Sequence, residues 1–162
     1  MDNEAVQIRR AQLADFPGIS RLMDDLHQMH VQARPDIYRP LQPRLGEKEY
    51  AEWFTTDQRY VYAAEHVETG KLIGFSSAQF SIIQDHALFS DRRMLYIHEL
   101  IVDAAYRGHG TGRKLMQAIL DLGKELQVEH MELTVSAFNA QAVAFYEQMG
   151  LQVRSCRMEY KF

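Results

Sequence analysis

The chain has 162 residues, of which 46% are hydrophobic and 25% are charged, and its formal net charge is −4. This composition is typical of one soluble globular domain, and the acidic balance argues against nucleic acid or an anionic membrane as a partner. No apolar run approaches the roughly eighteen residues of a membrane-spanning helix, and the N-terminal MDNEAVQIRR lacks the apolar centre of a signal peptide. We therefore expect a single cytoplasmic domain over residues 1–162.

Hydrophobic periodicity predicts the first half of the fold. Residues 6–10 alternate as a strand, and after Asp15 the apolar residues recur at helical spacing, with Pro17 suited to the first turn. The proline-rich ARPDIYRPLQPRLGE predicts an irregular loop. Its Tyr38, with nearby Trp53, suggests a substrate rim, although Trp53 is better explained as a cover for the sheet edge.

The second half combines a hairpin with strand–helix–strand units. Two strand-like runs flank the turn Glu68-Thr-Gly70, which is typical of a hairpin. The predicted elements after residue 45, in chain order, are a helix over 46–53, strands over 60–66, 72–83 and 94–102, a helix over 111–127, a strand over 131–136, a helix over 140–149, and a last strand or hairpin over 152–161. This order predicts an α/β mixed sheet with helices on both faces.

Some residue types that often carry chemistry lack the neighbours that the chemistry needs. The single cysteine, Cys156, excludes an internal disulfide, and we expect it to be a buried small hydrophobe rather than a nucleophile. His27 and His30 lie three residues apart on the first helix, but no matching ligand cluster completes a metal site. We therefore expect no metal.

A glycine-rich turn, Arg107-Gly-His-Gly-Thr-Gly112, joins the strand over 94–102 to a helix. Glycine allows close approach of a ligand, and the free N–H groups at a helix start favour anions, so a phosphorylated ligand is indicated. The spacing excludes a Walker loop and a dinucleotide fingerprint, because in both the last glycine would fall on Arg113. The pattern that does fit is R-x-x-G-x-G.

A second motif opens the last helix, in NAQAVAFYEQMGL. Asn139 is a favoured N-cap residue, and Tyr146 lies two turns later, roughly 10 Å along the same face. Gly150 provides the helix stop.

In these two motifs the chain resembles the GCN5-related N-acetyltransferase (GNAT) superfamily, most strongly over residues 94–156. The resemblance implies a mostly antiparallel sheet of about six to seven strands with a splayed parallel pair. It also implies acetyl-CoA as co-substrate, no metal, and an amine as acceptor. Many superfamily members pair through their sheets, so a homodimer is possible on this ground.

The resemblance assigns cofactor contacts. Asn139 would contact the pantetheine arm, and Tyr146 would lie beside the thioester sulfur. The backbone N–H near Ile101 or Val102, where the superfamily's strands splay, would bind the developing oxyanion. The pyrophosphate would be held by the loop residues Arg107, Gly108, His109, Gly110, Thr111 and Gly112, with Arg113 and Lys114 as additional positive charge or as solvated helix residues.

Two catalytic residues are predicted. The Tyr146 phenol would protonate the departing thiolate. Glu99, expected on the strand face that carries Ile97 and Ile101, would act as general base with a pKa raised by an apolar setting, or would be a structural group bonded across the sheet. His98, expected on the opposite face, is a weaker candidate.

Two functions remain open at this point. One is an acetyl-CoA-dependent N-acetyltransferase acting on a primary amine of a small molecule or peptide. The other is a catalytically silent acyl-CoA-binding sensor or regulatory module. The carboxylates of Asp24, Asp25, Asp36, Asp85 and Asp91 suit a cationic acceptor or are simply solvated.

Overall fold

The computed structural model describes residues 6–162. Within this range the chain forms one five-stranded sheet and four α-helices. The strands are β1 (Val6–Arg10), β2 (Arg59–His66), β3 (Leu72–Ile83), β4 (Arg92–Val102) and β5 (His130–Leu133), and the helices are α1 (Phe16–Ala33), α2 (Glu47–Glu52), α3 (Thr111–Glu125) and α4 (Ala140–Gln148). The predicted α/β mixed sheet is confirmed, and every predicted helix is present with ends that differ by a few residues.

The strands lie in the order β1-β2-β3-β4-β5, so that each neighbours the next in the chain. The first four are antiparallel, and β5 joins β4 in parallel after the crossover through α3. The predicted β2–β3 hairpin is present, and it closes through Gly70 at φ +65° with the Gly70 N–H donating to His66 O at 2.8 Å. None of the helices in the described part of the chain combines the length and apolarity needed to cross a bilayer.

Helices cover both faces of the sheet, as expected. On one face, α1 and α2 bury Ile19, Leu22 and Tyr50 against Phe75 and Ile101. On the other face, α3 and α4 pack apolar side chains onto strand residues, and this second core includes Met116, Ile119, Phe145, Met149, Ala78, Leu95 and Ile97. The sheet is therefore the central layer of a three-layer domain.

The parallel pair β4–β5 separates halfway along β4. Pairing runs only from Met94 opposite His130 to Ile97 opposite Leu133, whereas β4 continues to Val102. Residues 98–102 of β4 consequently have no strand beside them on that side within the described range. We call the space beside them the β4–β5 gap.

A β-bulge in β4 changes which side chains share a face. Ser77 of β3 lies opposite Glu99, but the next residue, Ala78, lies opposite Ile97, so that His98 is the extra residue. One inserted residue reverses the alternation of side chains along a strand. Glu99 therefore lies with Ile101 on the α1 face while Ile97 lies in the α3 core. The prediction that Glu99 shares a face with Ile97 was wrong.

The predicted last strand over 152–161 was also wrong, and the described sheet has five strands rather than six or seven. Residues 151–162 form no ladder with any described strand, and ion pairs such as Arg34–Glu159 and Arg154–Glu132 hold the segment instead. Within this segment Met158 is 89% exposed. Cys156 is exposed as well, contrary to its predicted burial.

Close approach of β3 to β4 beside the gap predicts that Gly74→Ala destabilises the fold. A Cβ on Gly74 would lie 2.8 Å from Ile101 O and 3.3 Å from a Leu115 methyl. We expect a loss of about 1–3 kcal/mol in the free energy of unfolding, measured by urea denaturation. Gly112→Ala is the matched control, because its methyl would meet only ordinary contacts at 3.6 Å or more. Equal stability of the two variants would contradict the crowding argument.

Candidate active site

The glycine-rich turn adopts a conformation that most residues resist. Gly108 has φ +82° and Gly110 has φ +84°, both in the left-handed region where a Cβ is strained. Space around Gly108 is open, since an added Cβ would meet nothing within 4 Å. The requirement for glycine there comes from the backbone angle and not from crowding.

Among the described residues, no side chain caps the start of α3. Its N-cap residue is Gly110, and no side chain bonds the first amides, whereas α4 is capped by Asn139 Oδ1 accepting from the Ala142 N–H at 3.2 Å. Free amides at the positive end of a helix dipole attract an anion. Thr111 at the same position is 1% exposed, and its Oγ1 has no hydrogen-bond partner among the described residues. An uncapped helix start with an orphaned hydroxyl fits a phosphate group.

Tertiary packing brings the two sequence motifs together. The Cβ position of Gly112 lies 3.6 Å from the Phe145 ring and 3.7 Å from Val102 Cγ2. The start of α3, the end of β4 and the middle of α4 therefore meet at one end of the β4–β5 gap. Asn139 begins the same α4, and Gly150 at φ +92° ends it, both as predicted.

Positive charge surrounds the entrance to the turn. Arg107 is exposed, and its Nε donates to Val102 O at 3.0 Å, which holds the side chain against the end of β4. His109 and Arg113 are exposed as well. Lys114 is directed elsewhere, since its Nζ donates to Val6 O of β1 at 3.3 Å.

Of the two predicted oxyanion donors, the amide of Val102 faces the gap. The Asp103 N–H donates to Ile73 O of β3 at 2.8 Å. Backbone amides of successive strand residues point to opposite sides, so the Ile101 amide also faces β3 and the Val102 amide faces away from it. The same alternation directs the Leu100 amide into the gap, a position that the sequence motif did not single out. An unpaired buried amide is costly and favours an acceptor from a ligand.

Tyr146 lies on α4 with its ring 5.3 Å from that of Phe145. Its hydroxyl makes no hydrogen bond within residues 6–162. Burial raises the pKa of the Tyr146 phenol above its ordinary value, so the hydroxyl stays protonated through the physiological range. It is available as a proton donor.

Glu99 lies on the α1 face, and its carboxylate is paired across the sheet. Glu99 Oε2 is 3.2 Å from Arg59 Nη2, and Arg59 Nε donates to Ser77 Oγ at 3.0 Å. Burial raises the pKa of the Glu99 carboxyl above its usual value, although the Arg59 guanidinium acts in the opposite direction. The structure thus combines both predicted interpretations of Glu99, a group bonded across the sheet and a carboxyl with a raised pKa.

His98 shares the face of Glu99, contrary to the prediction that it lies opposite. Its Nε2 is 3.2 Å from Gln79 Oε1, and Gln79 lies directly across from Arg59 in the β2–β3 register. The bulge at His98 is the physical reason, because it turns two consecutive side chains of β4 toward one face. Burial and then the Arg59 charge lower the pKa of the His98 imidazole, so it is neutral near pH 7.

Trp53 is 7% exposed, stacks near Phe75 at 6.5 Å between ring centroids, and supports the Arg59 guanidinium at 3.9 Å from its ring. It covers the sheet, but at the interior strand β3 and not at the predicted edge, and it also joins the Glu99 cluster. Arg59 itself was missed by sequence reasoning. It is one of many arginines in the chain, and only the pairing of β2 with β3 brings it to Glu99.

Other residues considered from the sequence lie apart from this cluster. Tyr38 is half-buried against His27 and His30, with ring centroids 6.5 Å and 5.2 Å away. Across residues 6–162, no group of three or more His, Cys, Asp or Glu side chains is placed to hold a metal ion.

Comparison with known proteins agrees with this geometry. The profile of the Acetyltransferase (GNAT) family matches residues 23–151. The F44R mutant of the BH1408 protein from Bacillus halodurans superimposes with a TM-score of 0.92 at 31% identity, over 96% of this chain and 99% of that one. An uncharacterized N-acetyltransferase of Archaeoglobus fulgidus is 29% identical over 153 residues, covering 91% of this chain and 93% of its own length.

A further relative shows that the domain also occurs within a longer protein. The uncharacterized N-acetyltransferase MJ1207 of Methanocaldococcus jannaschii is 27% identical over 111 residues, which cover 65% of this chain. The match spans about half of that protein, 47% of its length. None of the three proteins carries a name that states an acceptor. The glycine cradle at the head of α3, the separated β4–β5 pair and these matches together establish that the chain belongs to the GNAT family of N-acetyltransferases.

Proposed function

We propose that residues 1–162 form one acetyltransferase domain that transfers an acetyl group from acetyl-CoA to a primary amine of a small molecule or peptide. The observation that carries this proposal is the glycine-led start of α3, which no side chain of the described residues caps and which meets the end of β4 at the β4–β5 gap. When bound, acetyl-CoA supplies the acetyl group as a thioester. Family membership implies this donor.

The binding roles follow the positions of the side chains. The amides at the start of α3 and the exposed Arg107 would hold the pyrophosphate. Asn139 uses Oδ1 for its cap and retains Nδ2 as a donor, with no bond to it in the described chain, which suits the pantetheine arm. The amides of Leu100 and Val102 would stabilise negative charge on the acetyl oxygen.

The chemical roles divide between two side chains. Glu99 would accept the proton that the acceptor amine loses, because an ammonium has no lone pair for attack. Tyr146, kept protonated by burial, would donate its Oη proton to the leaving sulfur. Glu99 belongs to β4 and Tyr146 to α4.

The acidic residues considered from the sequence give little support for a cationic acceptor. Four of the five carboxylates considered from the sequence bond within the chain: Asp24 with the Arg44 N–H, Asp25 with Arg21, Asp36 with Arg34, and Asp91 with the Asp85 N–H. Carboxylates with internal partners attract a cationic ligand less strongly. We therefore place no polyamine or aminoglycoside ahead of other amines.

The test of the function is release of free thiol from acetyl-CoA in the presence of a panel of amines. The panel contains spermidine, an aminoglycoside, lysine, a neutral amino acid and a peptide with a free N-terminus. We expect turnover with at least one. Clear binding of acetyl-CoA with turnover of none would favour the catalytically silent sensor or regulatory module instead.

Loss of the phenol hydroxyl is expected to affect chemistry rather than binding. Tyr146→Phe should lower kcat by about 10²–10⁴-fold, the usual contribution of a positioned proton donor, with acetyl-CoA affinity nearly unchanged. Tyr60→Phe is the control, because Tyr60 lies on β2, separated from β4 by β3, with its ring under the Arg10 guanidinium. Steady-state kinetics and calorimetric titration of acetyl-CoA measure the two quantities. An unchanged kcat would remove Tyr146 from the mechanism.

Replacement of the carboxyl is expected to change the pH profile. A base must be deprotonated to act, so kcat/KM of the wild type should fall as the pH drops through the raised pKa of Glu99. Glu99→Gln should abolish that acid-side limb and lower the plateau. The profile is measured with an acceptor whose own ionisation is known and subtracted. Superimposable profiles would indicate that water alone removes the proton.

Asn139 carries two separable roles, a cap and a ligand contact. Asn139→Ala should lower the free energy of unfolding by about 1 kcal/mol and weaken acetyl-CoA binding. Asn139→Asp retains the cap oxygen but loses the Nδ2 donor, so its stability should match the wild type while acetyl-CoA binding weakens. Thermal unfolding and calorimetric titration distinguish the two variants. If the Asp variant binds as tightly as the wild type, Asn139 serves only as a cap.

A further inference from the structure

Arg59 makes three contacts that together fix its guanidinium. Nη2 lies 3.2 Å from Glu99 Oε2, Nε donates to Ser77 Oγ at 3.0 Å, and Cζ lies 3.9 Å above the Trp53 ring. The side chains of Arg59 and Glu99 are each only 16% exposed. The pair is thus largely withdrawn from water, where a charge interaction is strong and an unpaired charge is costly.

The Trp53 ring beneath the Arg59 guanidinium, which we call the core platform, is part of the hydrophobic core. Trp53 packs edge-on against Tyr50 at 5.4 Å and stacks near Phe75 at 6.5 Å. Tyr50 is 1% exposed, and its hydroxyl donates to Gln12 O at 2.7 Å. A flat guanidinium can lie on such a ring while its edge bonds two groups, which a lysine ammonium cannot do.

Two opposing effects act on the pKa of the Glu99 carboxyl. Burial favours the neutral acid, and the Arg59 charge is the largest effect that favours the carboxylate. The other groups around the pair are fewer and weaker: Ser77 on β3, Arg44 before α2, the neutral His98 imidazole on β4, and Glu49 of α2, which acts on Arg59. Without Arg59, the remaining groups would oppose only weakly the rise that burial causes in the pKa of Glu99.

We propose that Arg59 is a positioning residue for acetyl transfer, which holds the Glu99 side chain in one orientation on β4 and keeps it ionised for proton abstraction. The inference rests on the proposed role of Glu99 as the base. Arg59 does not itself exchange a proton, because a guanidinium remains charged at any working pH. Its contribution is the charge state and direction of its partner.

The first experiment measures the ionisation of Glu99 in the absence of an acceptor amine. The protein is labelled with glutamate carrying ¹³C at the carboxyl, and Glu99→Gln identifies the Glu99 resonance. In Arg59→Met the titration midpoint of that resonance should move upward by at least about one pH unit, since an opposite charge at this distance has been removed. Arg59→Lys should remain close to the wild type because it retains the charge. Arg10→Met is the matched control, since Arg10 stacks on Tyr60 and Tyr62 and pairs with no carboxylate among the described residues.

The second experiment tests the orientation of the Glu99 side chain by measuring the pH dependence of kcat/KM with the fastest acceptor from the amine panel. In Arg59→Met the acid-side limb of kcat/KM should move with the resonance, so that activity below the new midpoint falls about tenfold per pH unit. Arg59→Lys should restore the position of the limb but not the full kcat, because it cannot bond Ser77 and Glu99 while lying flat on Trp53. A purely structural Arg59 would lower stability and leave the limb in place.

Ser77→Ala provides a second route that leaves the ion pair and the core platform intact. It removes the bond to Arg59 Nε and also the hydrogen bond between Ser77 and the Glu99 carboxyl, both of which favour the carboxylate, so the limb should move in the same direction by a smaller amount. The proposal is overturned if the Glu99 resonance titrates identically in the wild type, Arg59→Met and Ser77→Ala, or if it moves while the rate profile does not. An unchanged profile in Glu99→Gln would instead show that the assignment of the base is wrong.

Discussion

Parallel pairing between β4 and β5 stops after Ile97 and Leu133, and the rest of the site depends on that separation. Beyond it, the amides of Leu100 and Val102 face a space that no described strand occupies. A sheet normally satisfies such amides by its ladder, so leaving them free is costly unless a ligand supplies the acceptor. The start of α3 and the middle of α4 meet at one end of this space, where Phe145 and Val102 each lie within 4 Å of the position that a Cβ on Gly112 would take.

The two helices that border the gap begin differently, and the difference assigns them different tasks. α4 begins with Asn139, whose side chain satisfies an amide of its first turn. α3 begins after Gly110, which has no side chain to do so, and the buried Thr111 hydroxyl beside it lacks a partner in the described chain. The chain thus closes one helix start with its own atoms and leaves the other open to an anion. That asymmetry supports our proposal that the α3 start binds an anion.

On the other side of the sheet, the bulge at His98 sets which side chains of β4 share the α1 face. Glu99 lies on the α1 face, where burial raises the pKa of its carboxyl. Arg59, seated on Trp53 and bonded to Ser77, offsets that tendency. The same charge, together with burial, keeps His98 neutral. Trp53, a core residue, supports the Arg59 guanidinium and thereby influences the pKa of both Glu99 and His98 without a hydrogen bond to either.

The sequence by itself determined the order of the elements, the glycine turn with its R-x-x-G-x-G spacing, and the Asn139 cap, because each depends on local backbone preferences or on residues a few positions apart. It also indicated the family. Only the tertiary structure decided which side chains meet. The bulge placed Glu99 and His98 on one face, and the pairing of β2 with β3 brought Arg59 from forty residues away to Glu99. Residues 152–161 alternate like a strand but form none in the described chain, because a strand exists only where a partner ladder receives it. A local sequence pattern indicates which secondary structure a segment can form, and the packing of distant segments decides which residues that segment contacts.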